Sequence, residues 1–515
     1  MATKACMRAA ASRNSRTTGV GADARAVSIV LSSRSALVMR SRCGSPRGVR
    51  AARAAGIACL LTGAIEARAR GAVTGRAGPV PGQSLSCALP VPSSLQGVPV
   101  QATAAAHADA ALIDRLVRRG GPTRALIALL AAITATGPLA MQIFLPALPV
   151  VQADLATSAG IVQLTLSLSM AAIALSTLAY GPASDRYGRR PVLLFGLAVF
   201  VIGSLLCALA PTVEVLILGR IVQAAGGAAG MVLARAIVRD LFGNERAAAV
   251  IAQLTMVMVV APMIAPTIGG ALTDLAHWRT VFLFAAAAVL IILVWVARGL
   301  PETHPDAGEA ESLRGLLRGF AHLLGSTRFV GYVGHTAFSS VVFFSFISGA
   351  PYLMVNTLGR PATEYGLWFV LLSAGFMTGN FIAIRTSGRF PQLGLMLAGS
   401  TLAVLSIAVT IAFVLADALS PATLFLPISL AMIGNGLAMP NAQAGAISVF
   451  PQRAGTASGF SGFAQMTVAG AATQLVGVLQ DGTAWPMLGC MVLGGTGALA
   501  GIVLVARAER GAPVV

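Results

Sequence analysis

The chain of 515 residues is 56% hydrophobic and only 10% charged, with a mean hydropathy of +0.81. Soluble domains usually carry about 25% charged residues, so this chain cannot clothe itself in a water-facing surface, and its apolar exterior must face lipid. The net charge of +18 does not indicate a nucleic-acid binder: residues 1–124 hold +14 of it, scattered through Ala/Gly/Ser/Pro-rich sequence without a basic stripe or interleaved aromatics, and residues 125–515 hold only +4.

Residues 1–110 form a low-complexity segment rich in Arg, Ala, Ser and Gly and poor in acids. Its longest apolar stretch, Ala54 to Ile65, falls short of the roughly 20 residues a spanning helix needs. A transit peptide, a disordered cytoplasmic tail and a start codon set too far upstream in a GC-rich gene all give this composition. The last is the reading adopted, because the stretch has no periodic pattern. Cys6, Cys43, Cys59 and Cys87 lie in it, and Cys207 and Cys490 lie in apolar runs. No metal-like spacing joins them, so the last two read as small packing residues and no metal or cofactor is expected. Around residues 112–119, Leu112, Leu116 and Val117 share a helical face flanked by Arg115, Arg118 and Arg119. This is a charged flank that fixes topology.

Twelve hydrophobic runs follow, near 125–147, 161–182, 191–210, 213–235, 249–271, 279–298, 329–351, 364–385, 393–415, 422–444, 456–478 and 486–506. The longest hydrophilic gap, 299–328, falls between the sixth and the seventh. The chain is therefore expected to be an all-α polytopic membrane protein: a six-helix bundle over 125–298, a cytoplasmic linker over 299–328 and a second six-helix bundle over 329–506. Arginines set the orientation. With the N-terminus inside, the cytoplasmic loops hold Arg186, Arg189, Arg190, Arg235, Arg239, Arg246, Arg298, Arg314, Arg318, Arg328, Arg385, Arg389 and Arg453, with Arg507 and Arg510 in the tail. The outside loops hold only Arg279 and Arg360. Both termini are thus expected to be cytoplasmic, in the cell's inner (plasma) membrane. Gly188-Arg189-Arg190-Pro191 after the second run is echoed by Gly388-Arg389-Phe390-Pro391 after the eighth, as a parallel repeat of six helices requires.

The sharpest stretch is Gly181-Pro-Ala-Ser-Asp185-Arg186-Tyr-Gly188-Arg189-Arg190-Pro191. Its glycines let two helices approach closely. Asp185 lies just ahead of the next helix, whose positive dipole end favours an anion. Arg186, Arg189 and Arg190 supply charge that can pair at the membrane face. Together they suit an inside gate that closes in one conformation and breaks in another. A mere positive-inside loop would need the arginines, but not Asp185 or two fixed glycines.

This stretch resembles the signature loop of the major facilitator superfamily. Leu218-Gly219-Arg220-Ile-Val-Gln223-Ala-Ala-Gly226 is similar to that superfamily's fourth-helix motif in exporters. Ala261-Pro262-Met-Ile-Ala-Pro266-Thr-Ile-Gly269-Gly270 is similar to its fifth-helix antiporter motif. The chain resembles most the bicyclomycin-resistance branch of the drug:proton antiporters, through Phe144-Leu145-Pro146-Ala147-Leu148-Pro149, Arg235-Ala-Ile-Val-Arg239-Asp240-Leu-Phe242, Met439-Pro440-Asn441-Ala442-Gln443 and Arg453-Ala454-Gly455-Thr456-Ala457-Ser458. The resemblance covers about 125–506. It implies two six-helix bundles with alternating access, multidrug efflux by proton antiport, and a role for Arg220 in proton movement. It implies no cofactor and no enzymatic activity.

The residues support parts of this on their own. An arginine inside an apolar run costs at least about 2.5–3.5 kcal/mol on insertion scales, so Arg220 is expected to face a cavity, with Gln223 on the same helical face. The structural alternative is that Arg220 binds backbone carbonyls of a neighbouring helix. Pro262 and Pro266 bend the fifth helix, and Gly269 and Gly270 allow close packing, which suits a joint between rigid halves. One position departs from the family: relatives often carry an aspartate where Gln142 stands, and glutamine cannot carry a proton. Coupling would then run through Asp185, Glu214, Asp240 or Arg220, or be absent. His335 is a further titratable group. Cavity candidates are Gln142, Phe144, Gln163, Arg220, Gln223, Phe346, Tyr352, Asn380, Asn435, Asn441, Gln443 and Gln465. So few charges favour a neutral or cationic amphipathic solute over a phosphorylated anion. The expected partners are a small-molecule substrate, protons and the lipid bilayer, with no nucleic acid, around a monomer. The rival readings are an exporter or facilitator of one metabolite and a non-transporting membrane receptor.

Overall fold

The computed structural model describes residues 124–303 and 313–510. The segment before Arg124, with the lead-in around 112–119, lies outside the described residues. The helices are α1 (Arg124–Ile143), α2 (Leu148–Asp154), α3 (Ala159–Tyr187), α4 (Arg189–Ala208), α5 (Val213–Leu275), α6 (Trp278–Gly299), α7 (Leu313–Leu324), α8 (Thr327–Tyr352), α9 (Ala362–Thr386), α10 (Gln392–Leu415), α11 (Pro421–Val449), α12 (Ala454–Leu479) and α13 (Trp485–Arg510). Among the described residues, eleven are long and apolar enough to cross a membrane when α1 and α2 are taken as one span, and Val260–Leu275 within α5 is a shorter twelfth. The architecture is the expected one of twelve spans, six before α7 and six after.

The element boundaries follow local chemistry. The first span is not one helix: α1 stops at Ile143 because Pro146 has no N–H to donate to Gln142, and a short tight turn over Leu145–Ala147 leads into α2. Ser158 accepts from the Ile161 N–H at the start of α3, and Ser420 and Thr423 cap α11 reciprocally around Pro421. Gly188 and Gly388 both take positive φ, +93° and +76°, at the turns after α3 and α9. The sequence echo is therefore a backbone echo as well.

Runs four and five, expected as separate helices, are hydrogen-bonded as one continuous helical stretch, α5. A straight helix would place residues 235 and 258 about 35 Å apart at 1.5 Å per residue. Arg235 Nη2 instead lies 3.9 Å from Met258 Sδ. Gly230 packs on Ile133 and Gly269 on Ile143, both in α1. α5 therefore doubles back and serves as two spans. The linker also holds structure that its hydrophilic composition hides. α7 is amphipathic and lays Phe320 and Leu323 against α12 and α8, with the Phe320 and Phe460 rings 5.1 Å apart.

The core is shared unequally. One large apolar cluster mixes the halves, setting Phe144, Leu166 and Trp278 with Phe346, Tyr365 and Phe425. At the face carrying Asp185 it splits into a cluster of the first half around Leu193 and Phe200 and one of the second around Phe329 and Met396. The halves thus meet at one face and part at the other. Large apolar side chains such as Leu175, Phe195, Ile291, Ile384 and Leu405 stay exposed on the flanks, where the bilayer replaces water as solvent.

Candidate functional site

The closed face is sealed by hydrogen bonds between the halves. Gln163 Nε2 donates to the Ser348 carbonyl at 2.8 Å, Ser167 Oγ to Gln474 Oε1 at 2.8 Å, and Gln474 Nε2 to the Gly160 carbonyl at 3.0 Å. On the other side, Asp274 Oδ2 accepts from the Thr363 N–H and hydroxyl at 2.7 and 2.6 Å, and Thr267 donates to the Gly366 carbonyl. Glycines make this seam possible. A Cβ at Gly270 would sit 2.5 Å from the Ala362 carbonyl oxygen of α9, and one at Gly366 2.6 Å from that of Pro266. Gly269 packs as tightly, but against Ile143 of α1 within its own half. Pro266 lies in the seam, while Pro262 borders the cavity beneath it.

At the opposite face a cleft of about 930 Å³ separates α3 from α7 and α12. Gly181 and Asp185 border one side, and Arg318, His322 and Arg453 the other. The candidate gate is held within the first half. Arg189 Nη1 donates to Asp185 Oδ1 at 2.5 Å and to Ser184 Oγ at 2.5 Å, and its Nε donates to Asp240 Oδ2 at 3.1 Å. Arg190 Nη2 reaches the Ala297 carbonyl at 2.7 Å, and Arg186 lies over the Tyr187 ring. No bond from Asp185 crosses the cleft among the described residues.

One expectation is corrected here. Asp185 sits in the last turn of α3, not at the start of the next helix. The anion at the α4 N-terminus is Glu302, from beyond α6. It accepts from the Arg189 and Arg190 N–H groups at 2.9 and 3.1 Å and satisfies two of the donors a helix start leaves open. Gly188 makes room for it, since a Cβ there would lie 2.6 Å from Glu302 Oε2. Sequence reasoning missed Glu302, whose only signal was an acid next to Pro301 at the end of a hydrophobic run. Glu302→Ala is expected to lower stability by about 1–2 kcal/mol, the scale of losing a helix N-cap. Thermal unfolding of the purified protein measures it, and an unchanged midpoint would contradict the capping role.

Between gate and seam lies a cavity of about 230 Å³. Both halves line it: Gln142 of α1, Phe343 and Phe344 of α8, Phe369 of α9, Asn435 of α11 and Gln465 of α12, with methionines filling the gaps. None of the described residues that line it is ionisable. Of the predicted cavity residues, Gln142, Asn435 and Gln465 are in place. Gln163 and Tyr352 are buried in the closed half of the molecule. Phe346 packs edge-on against Phe425, Gln443 faces outward, and Asn380 and Asn441 bond carbonyls of their own helices. The Phe and Met residues that build the walls gave no separate signal, because an apolar residue reads alike whether it faces lipid or ligand.

Arg220 and Gln223 also fall outside the cavity. Arg220 is 2% exposed, and its Nη1 donates to Gln223 Oε1 at 2.5 Å and to the Ala140 carbonyl of α1 at 3.3 Å. Gln223 passes the chain on to Ser204 of α4 at 2.8 Å. The guanidinium stands 4.9 Å from the Phe144 ring centre and 5.9 Å from that of Phe282, close enough for cation–π attraction. No carboxylate pairs with it among the described residues. Ala140 and Gln142 lie about 200° apart around the helix. Arg220 therefore grips α1 from behind while Gln142 presents to the cavity. His335, the other titratable candidate, is wholly buried. Its Nδ1 is 3.0 Å from the Ala498 carbonyl, which can only accept, so Nδ1 carries the proton and ties α8 to α13.

The sequence model of the Major Facilitator Superfamily matches residues 130–474. Multidrug resistance protein D of Escherichia coli (strain K12) is 31% identical over 360 residues, 69% of this chain and 89% of that protein. The bicyclomycin resistance protein homolog of Haemophilus influenzae is 28% identical over 361 residues, covering 68% and 88%. Among solved structures, the xylose transporter XylE from E. coli, in a partially occluded inward open conformation, aligns with a TM-score of 0.57 at 13% identity, covering 74% of this chain and 98% of that one. That likeness concerns the fold alone.

Proposed function

The chain belongs to the Major Facilitator Superfamily, and we propose that it exports small amphipathic compounds from the cell in exchange for protons. The observation that carries this reading is a solute-sized cavity lined by both helical bundles, in a molecule sealed at one face and parted by a cleft at the other. Such a site exchanges its access by rocking one bundle against the other. The names of the relatives support drugs as the cargo.

We place the Asp185 face in the cytoplasm, because Arg186, Arg189, Arg190, Arg318, Arg389 and Arg453 gather there and, among the described residues, only Arg279 and Arg360 mark the other face. We take the protein as a monomer in the inner membrane with both termini cytoplasmic; the state described is then the one that loads cargo from inside. Gly181, Asp185, Arg186, Gly188, Arg189 and Arg190 act as the inner gate. Asp185 exchanges part of its bonding with Arg189 for a partner across the cleft when the gate closes. The helix-5 residues Pro262, Pro266, Gly269 and Gly270 act as the outer joint, and Arg220 with Gln223 links α1 to the motion. The cargo is carried without covalent chemistry.

A second reading, an uncoupled facilitator of a single metabolite, draws on one observation: among the described residues, none that lines the cavity can bind and release a proton. Everted membrane vesicles separate the two. Accumulation of amphipathic dyes and drugs that rises when a pH gradient, acid inside the vesicles, is imposed supports proton exchange. Accumulation indifferent to that gradient supports the facilitator, and no protein-dependent flux of any solute would sink the transport reading.

A further inference from the structure

The cavity says more about its cargo than that it is amphipathic. We propose that the site selects uncharged aromatic solutes that donate a hydrogen bond, and that Gln142 is the residue that sets this selection. The inference rests on the export reading above and names the substrate class of the same site.

Three observations carry it. First, no acid, lysine, arginine or histidine lines the cavity among the described residues. A charged solute would leave its hydration behind and meet no counter-charge, which apolar surroundings penalise heavily. Second, Arg235 approaches Sδ of the lining Met258 at 3.9 Å, and Arg220 is held on the far side of α1 without a carboxylate partner among the described residues. The field of Arg220 opposes a cation in the cavity. It gives an anion no direct contact, since its hydrogen bonds go to Gln223 and Ala140. Aromatic faces can attract a cation, but Phe343 is already engaged with Phe344 and Phe369, at centroid distances of 5.2 and 6.3 Å. Those rings form a wall suited to a flat apolar ring.

Third, Gln142 is 5% exposed, borders the cavity, and its Oε1 is buried without a hydrogen-bond partner. A buried acceptor left unpaired is costly, and an incoming O–H or N–H relieves that cost. A turn of the terminal amide, a soft torsion, brings Oε1 to a ligand among apolar neighbours. Gln142 thus replaces charge recognition with recognition of a single donor.

Three probes of one shape test this: para-hydroxybiphenyl, para-methoxybiphenyl and the trimethylammonium derivative of biphenyl. Saturable binding is measured to the full-length protein in lipid nanodiscs, with empty nanodiscs subtracted. The hydroxyl compound is expected to bind, the methoxy compound about tenfold more weakly, as one net hydrogen bond dictates, and the cation not saturably. Gln142→Leu should weaken the hydroxyl compound to the level of the methoxy compound and leave the latter unchanged. Gln142→Asp should admit the cation. Equal binding of the hydroxyl and methoxy compounds, or binding of the cation by the wild type as tightly as the hydroxyl compound, overturns the proposal whether or not the variants fold. If vesicles export cations and no neutral solute, the selection fails while the export reading stands. If the binding pattern appears and no solute is moved, the export reading fails while the site assignment stands.

Discussion

Replacing Arg220 by methionine is expected to abolish solute export while leaving the folded protein as stable as before, or more so. The reason is the mismatch between what Arg220 costs and what holds it. A buried guanidinium in a membrane span is expensive, and here it is repaid by Gln223, one backbone carbonyl and two aromatic faces, with Nε left unpaired. Methionine fills similar volume between Phe144 and Phe282 and removes the charge from the apolar interior. Replacing buried charged groups by well-packed apolar ones is often neutral or stabilising, by about 1–4 kcal/mol in measured cases. A residue kept only for packing would therefore be dispensable. Export reduced by more than tenfold with an unchanged or raised unfolding midpoint marks Arg220 as functional. Unimpaired export would assign it to the backbone-binding role that the contact with Ala140 also satisfies.

The second large effect is conformational, and two glycines are expected to act in opposite senses. A side chain at Gly270 meets backbone atoms of α9, the Ala362 carbonyl oxygen at 2.5 Å and Thr363 Cα at 2.7 Å, which cannot step aside. A Cβ at Gly181 meets nothing within 4 Å, because that glycine borders the open cleft. Gly270→Leu should therefore force the sealed face apart, and Gly181→Leu should be harmless in the present state and obstruct only closure of the cleft. Overpacking costs about 1–3 kcal/mol, so each change should shift the balance of states by roughly 5- to 150-fold. Spin labels at Ala156 and Asp481 report the sealed face, and labels at Tyr187 and Gln452 report the cleft. Lengthening of the first distance in Gly270→Leu, and loss of the short component of the second in Gly181→Leu, is the expected pair of results. The same distribution in both variants and the wild type would contradict the assignment of these glycines to opposite faces.

Much of this was legible in the sequence because membrane helices announce themselves by length and hydropathy. The echo of Gly188 in Gly388 exposed the repeat, and the pairing of Arg220 with Gln223 followed from three-residue spacing. What stayed hidden depends on contacts between distant segments. Glu302 caps α4 from more than a hundred residues away, so the anion at that helix start was assigned to Asp185, its neighbour in sequence. The break at Phe144 and the extension to Asp154 were obscured because apolar runs do not record where the backbone turns. α7 was hidden in a hydrophilic gap, since its apolar stripe is narrow and its partners lie in α8 and α12. The cavity walls were the least legible. Phe343, Phe369 and Met432 differ from lipid-facing Phe195 or Leu405 only in what stands opposite them. Polar residues were the better guide: only three of the twelve candidates line the cavity, Gln142, Asn435 and Gln465, and none of the aromatic ones does.

A single cavity that serves both faces in turn sustains counterflow, which needs no energy source. Purified protein is reconstituted into liposomes filled with a high concentration of an exported solute, and these are diluted into buffer holding a trace of the labelled compound. A transient internal excess of label above its equilibrium level is expected, as carriers reorienting with unlabelled solute return with labelled, and Gly270→Leu should lose it. Label that only rises to equilibrium, at the rate seen in liposomes without protein, would contradict a cavity that serves both faces.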